Sequence, residues 1–271
     1  MLFLLGTLFA EPVPIYPFPY SCIDPRYPTM HKGWVVGCNP RGMIDQAYHV
    51  ESMRIQRLSE ASESIGFGNG FFQEQHGVWN LQTQQYDAFP RIRTELNAPL
   101  SGSGNQWAYT TESSLGILQG RQSVSIDANP RGWYPPAWWG DRVVWVEDDG
   151  AGGEDLWIYS ASKGASILRG GALSQRHPIA NDIYLAWIEG EKIGIWHQEY
   201  PEPKFINASV VDRLTMDDNI VCWAQRGEDI DIHCSDGFIL HRKGHQVWPS
   251  LWNGILIFRE SNQLMMYKME E

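Results

Sequence analysis

Cysteine is sparse. Cys22, Cys38, Cys222 and Cys234 are spread over 271 residues, and none stands in C-x-x-C spacing. A zinc ribbon or a dithiol redox motif would need that spacing, so neither is supported. Positive charge is short as well: Lys plus Arg number 21 against 32 Asp plus Glu, a net charge of -11. A surface of that sign repels phosphate backbones and speaks against nucleic-acid binding. No apolar run reaches the roughly 18 residues that would cross a bilayer as a helix. The chain also lacks G-x-S-x-G, H-E-x-x-H, P-loop and Rossmann motifs. On that ground no catalytic residue, no metal site and no cofactor is assigned.

What is present points to packed strands. Hydrophobic residues make up 43% of the chain, enough for a full core, which excludes a disordered chain and a coiled coil. There are 13 Trp and 26 Gly, and many aromatics with many turn residues suggest short strands. The stretch Met1 to Ala10, MLFLLGTLFA, is followed by Glu11-Pro12 and reads as the apolar part of a secretory signal. It lacks a basic start, and Leu8 stands where a small residue is usual. The expectation is an exported protein, periplasmic or extracellular, with residues 1–10 as signal and 11–271 as a single domain. In such a compartment an even cysteine count fits two disulfides.

Four segments align along the chain: Pro136 to Val146, Pro178 to Ile188, Leu214 to Ala224 and Pro249 to Arg259. Each has a turn at its middle, then an apolar run holding an aromatic nine positions after the opening residue: Trp145, Trp187, Trp223 and Phe258. A further strand follows in each, and a third apolar patch in three. Weaker copies begin near 28, 65 and 100, so that seven units recur at a period of about 36. Seven units of four short strands describe an all-β, seven-bladed β-propeller; six blades is the alternative if the copy near Ile65 is incomplete. The last unit ends after three strands. Val13 to Cys22 is expected to supply its outer strand and close the ring, with Cys22 pairing Cys38 and Cys222 pairing Cys234.

The opening Pro, the central turn, the apolar run ending in Trp and the next strand ending in Tyr resemble the TolB-like family of propeller repeats. The resemblance is clearest over residues 136–271 and looser over 28–135. It implies the propeller fold and is nearly silent on function.

The repeated Trp145, Trp187 and Trp223 are expected to fill the wedge between neighbouring blades rather than to bind sugar. Asp148, Asp149, Glu154 and Asp155 lack the alternate spacing of a calcium loop and read as a solvated hairpin tip. Among the histidines, His177, His197, His233, His241 and His245 show no helical ligand spacing. Asn207-Ala208-Ser209 is a formal glycosylation sequon. The candidate ligand-binding residues lie in the links that precede the inner strands: Arg26, Arg131, Trp133, Arg176, His177, Arg213, Lys243, His245 and Trp248. Guanidinium groups pair with carboxylates, and indoles stack on sugars or hold cations. The expected function is a monomeric, non-enzymatic binding propeller for a protein, an acidic peptide or an acidic oligosaccharide. The alternative is a lyase or hydrolase acting on an acidic saccharide at the same mouth.

Overall fold

The computed structural model describes residues 11–15, 30–31, 33–38, 44–52, 54–62, 66–68, 71–74, 77–80, 85–88, 101–103, 106–111, 113–119, 122–131, 134–261 and 263–269. Among them there are strands and turns and no helix. The first strand is β1 (Val13–Pro14). The first sheet holds β2 (Met30–His31), β3 (Trp34–Cys38), β4 (Ile44–His49) and β5 (Arg54–Ser62). The second holds β6 (Gly66–Gly68), β7 (Phe71–Glu74), β8 (Gly77–Asn80) and β9 (Gln85–Ala88). The third holds β10 (Ser101–Ser103), β11 (Gln106–Thr110), β12 (Ser114–Gln119) and β13 (Gln122–Asp127). The fourth holds β14 (Ala137–Trp139), β15 (Arg142–Asp148), β16 (Glu154–Ser160) and β17 (Gly164–Arg169). The fifth holds β18 (Gln175–Ala180), β19 (Tyr184–Glu189), β20 (Lys192–His197) and β21 (Lys204–Asn207). The sixth holds β22 (Val210–Asp217), β23 (Ile220–Arg226), β24 (Ile230–Cys234) and β25 (Ile239–Leu240). The seventh holds β26 (Gln246–Trp252), β27 (Ile255–Glu260) and β28 (Gln263–Lys268).

Each sheet is an antiparallel meander in chain order, and β1 is the fourth strand of the seventh. There Val13 stands opposite Met266 and Pro14 opposite Met265, and the Ile15 N–H donates to the Leu264 carbonyl at 3.0 Å. The rest of the expected closing strand, residues 16–22, lies outside the described residues, as does Cys22. The first strands touch in succession from β2 through β6, β10, β14, β18 and β22 to β26, and β26 touches β2.

The second strands β15, β19, β23 and β27 carry apolar runs because they are covered on both faces. In β15 the five residues Val143 to Glu147 are all buried. Each apolar cluster is shared by two sheets: Trp187 and Leu185 pack with Trp139, Val144, Val146 and Leu156 of the preceding sheet. One such cluster joins the seventh and first sheets through Ile15, Ile255, Ile257, Leu264, Val35, Tyr48 and Val50. The repeated aromatics are the wedges the sequence suggested: Trp145, Trp187, Trp223 and Phe258 are 1%, 0%, 4% and 0% exposed.

A buried indole needs a partner for its N–H. Here the residue two places on supplies it. Trp145 donates to Glu147 at 2.8 Å, Trp187 to Glu189 at 3.1 Å and Trp223 to Gln225 at 2.8 Å. The same polar group binds the end of the preceding sheet. Glu189 takes two bonds from Arg169, at 3.0 and 3.1 Å. Where the acceptor is the neutral amide of Gln225, the Ser209 backbone N–H donates to it at 3.1 Å. Glu260, two places after Phe258, receives Arg242 at 2.9 Å.

The Cys222–Cys234 disulfide is formed, between residues directly opposite in β23 and β24. The acidic insertion is the hairpin between β15 and β16. Its tip is tied by its own backbone, with Asp149 accepting the N–H groups of Ala151 and Gly153 at 2.7 and 2.8 Å.

Two wedge aromatics lie across glycines of the adjoining strand. Trp187 pairs Gly194 in register, and Tyr109 pairs Gly116. A Cβ at either glycine would overlap the ring. Gly194→Ala therefore displaces a fully buried indole. Overpacking of this kind costs about 1–3 kcal/mol, so the variant should melt several degrees below wild type in calorimetry. An unchanged transition would contradict this packing.

Candidate binding site at the link end of the sheets

In an antiparallel meander the links between sheets and the turns joining second to third strands share one end. The sequence placed Arg176, His177, Arg213 and Trp248 in those links. They lie instead inside β18, β22 and β26, because strand pairing begins before the opening proline. Gln175 already pairs Glu189, and Gln246 pairs Glu260. Each of the three strands then breaks register at the same place: between Arg176 and Ile179, between Val210 and Leu214, and between Val247 and Ser250. Pro178 and Pro249 have no N–H for the ladder, so a bulge is the allowed solution. His177 and Trp248, each before a proline, take φ of 56° and 57°. Left-handed backbone at such residues costs about 1–3 kcal/mol and collects at functional sites.

The bulges free backbone donors, and the preceding strand's side chains take them. His177 Nδ1 accepts the Leu214 N–H at 3.5 Å. Asp212 Oδ2 accepts the Trp248 N–H at 2.7 Å, and its Oδ1 accepts the Arg213 N–H at 2.6 Å. The Tyr134 ring meets the His177 imidazole edge-on at 5.9 Å. The exposed Arg176 lies close enough to act electrostatically on both Tyr134 and His177. At the other side, the Arg259 guanidinium lies 4.6 Å from the centre of the Trp248 ring. A continuous row of side chains thus runs over four sheets, from Tyr134 to Arg259.

The electrostatics of the row are uneven. Burial, then Arg213, then Arg176 push the His177 pKa down to about 3. Burial pushes the Asp212 carboxyl up, against the pull of the Arg213 and Trp248 N–H groups. Burial raises the Tyr134 hydroxyl too, with Glu154 adding to the shift. Arg131 is neutralised, 2.6 Å from Asp148 and 4.0 Å from Glu154.

Of the residues expected to form the site, Arg176, His177, Arg213 and Trp248 are brought into this row. Arg131 stands at its margin, paired to the acidic hairpin. Arg213 is 3% exposed, a strand residue rather than a solvated loop residue. Lys243 and His245 are exposed in the link before β26, outside the row. Arg26 and Trp133 lie outside the described residues. Asp212 and Arg259 were missed from sequence, although Asp212 holds the place of the bulged residues in its unit. Among the described residues no group of three His, Cys, Asp or Glu could hold a metal ion.

No protein-family model matches the chain, and no curated protein matches it. Solved β-propellers do. The propeller domain of the trilobed protease from Pyrococcus furiosus, described as having an open velcro topology, is 12% identical. It matches with a TM-score of 0.64 over 94% of each chain. A puromycin-hydrolyzing peptidase of Mycobacterium tuberculosis, 11% identical, gives 0.60 over 91% of this chain and 52% of its own. PorZ, a surface component of the type-IX secretion system of Porphyromonas gingivalis, is 9% identical and gives 0.57 over 96% and 39%. At these identities the likeness establishes an all-β propeller fold and nothing narrower. It does not single out the TolB-like family.

The depressed His177 pKa has a consequence for stability. Between pH 6.5 and about 3 the unfolded chain binds a proton that folded His177 refuses. Stability is lost as pH falls through that window, by up to about 1.4 kcal/mol per pH unit. His177→Asn keeps an acceptor for the Leu214 N–H and tolerates left-handed backbone. The gap in melting temperature between wild type and variant should therefore shift in the variant's favour from pH 7 to pH 4.5. A constant gap would show that His177 is protonated in the folded state.

Proposed function

We propose that the chain is an exported, non-catalytic binding scaffold: one seven-bladed ring, closed by β1, that holds an anionic ligand over the row at its link end. Seven four-stranded sheets and the return contact of β26 with β2 support the ring. Export rests on the apolar stretch Met1 to Ala10. The observation that carries the ligand reading is the charge of the row. Arg176 and Arg213 both act on His177, Arg176 also on Glu154 and Arg213 also on Asp212. The positive charges that keep His177 neutral also favour an incoming carboxylate, sulfate or phosphate. Arg176 is the exposed member and offers paired donors to a carboxylate. One observation favours a second reading, turnover of an acidic saccharide: Asp212 is pushed up while His177 is pushed down, as in paired acid and base groups.

The test is calorimetric titration of oligouronates and acidic peptides against wild type and Arg176→Ala. The variant removes an exposed side chain, so its melting transition should be unchanged. Affinity should fall about tenfold, and wild-type binding should weaken as salt rises past 0.1 M, where the screening length is about 10 Å. Equal affinity in both proteins would reject the site. Release of shortened saccharide would favour the enzyme.

A further inference from the structure

Several carboxylates at the link end are paired internally: Asp148 with Arg131, Glu189 with Arg169, Glu260 with Arg242, Asp231 with His241, while Glu228 there is exposed. The opposite end carries the turns that join first to second strands. There Asp182 and Asp218 are exposed, and among the described residues neither forms an ion pair. They flank a cavity of about 320 Å³ between the fifth and sixth sheets, lined also by Asn181, Ile183, Tyr184 and Asn219.

The cavity walls are held in place. Asn181 Oδ1 accepts the N–H groups of Ile183 and Tyr184 at 2.9 and 2.8 Å, and its Nδ2 donates to the Asp218 carbonyl at 2.7 Å. This bond locks the two turns together. Trp139 fixes the same turn by donating to the Ile183 carbonyl at 2.9 Å. Tyr184 is buttressed by His197 at 4.9 Å, and His197 by Tyr200 at 4.7 Å. Ile183 is left 44% exposed. The result is a half-open pocket lined by Ile183 and Tyr184 together with Asp182 and Asp218.

We propose that this pocket docks a basic segment of a partner protein, with one lysine or arginine side chain between Asp182 and Asp218. The methylene stem would lie on Ile183, and the cationic head would meet the carboxylates and the Tyr184 ring. The volume is at the small end of ligand clefts, roughly 300–1,000 Å³, which suits one long side chain. Charge complementarity supports the choice, since the chain carries a net charge of -11. A calcium ion would want six to eight oxygens, and two carboxylates fall short. The inference does not rest on the anionic site at the other end. The ring would then present opposite preferences at its two ends and could bridge two partners.

The probe is an amidated tetra-arginine peptide, titrated calorimetrically into the folded chain at 50 mM salt. Wild type should bind it with one-to-one stoichiometry. Asp182→Asn with Asp218→Asn should weaken binding about tenfold. Asn tolerates the left-handed φ of 47° at position 218. Glu228→Gln with Asp229→Asn removes the same charge at the other end and should change affinity less than twofold. If the double variant melts early, Asp182→Asn alone should show a smaller loss on an unchanged backbone. Arg176→Ala should leave this peptide's affinity unchanged, which separates the outcome from that of the anionic site. No binding to wild type, equal loss in both double variants, or displacement of the peptide by micromolar calcium would overturn the proposal.

Discussion

A strand that heads a sheet and meets its neighbour at an angle has a row of backbone N–H groups with no ladder partner. Left alone these groups would be an unmet cost in a crowded centre. The sixth and seventh sheets show how the chain meets this constraint. Asp212, Thr215 and Asp217 of β22 accept the N–H groups of Trp248 and Leu251 of β26 and of Asn253 in the turn after it. His177 of β18 does the same for Leu214 of β22. These side-chain latches set the approach of one sheet to the next. They also explain why the bulged strands carry polar residues where a plain strand would carry apolar ones.

Outside the latches, the wedge between sheets is filled by the repeated aromatic and sealed by its polar partner two residues on. The Trp-x-Glu or Trp-x-Gln pair lets one residue satisfy an indole within its own sheet and an arginine or backbone donor from the sheet before. Each unit therefore depends on both neighbours, and no sheet can bury its faces alone. The candidate site is a by-product of the same geometry. His177 and Asp212 are latch residues first, and their altered proton affinities follow from sitting between sheets beside Arg213.

Much of this was legible in sequence, and for a physical reason. Trp145, Trp187, Trp223 and Phe258 recur at one position because one wedge recurs, and the turns between first and second strands recur with them. The pairing of Cys222 with Cys234 followed from the hairpin that brings β24 back along β23. The copies near 28 and 65 were harder to see, since β2 and β6 are only two and three residues long. Gly37 also replaces the aromatic in the first. Arg176, His177 and Trp248 were singled out in sequence but placed in links rather than in strands. Pro178 and Pro249 looked like strand starts, whereas pairing resumes upstream of them across a bulge. Asp212 carries no motif, and only its place opposite the Trp248 N–H reveals it.

The account depends most on closure. Ile15 is buried in the cluster shared by the seventh and first sheets, and β1 completes the seventh sheet. Asn253 in the turn before β27 donates to Glu51 of the first sheet at 2.6 Å, a polar clasp across the same seam. The most direct test compares calorimetric unfolding of a chain beginning at Glu11 with one beginning at Tyr16. The longer chain should unfold in one transition, with calorimetric and van't Hoff enthalpies equal. The shorter one should lose that agreement or aggregate, because an open edge and a broken seam are exposed together. Identical transitions in the two chains would contradict a ring held shut by β1.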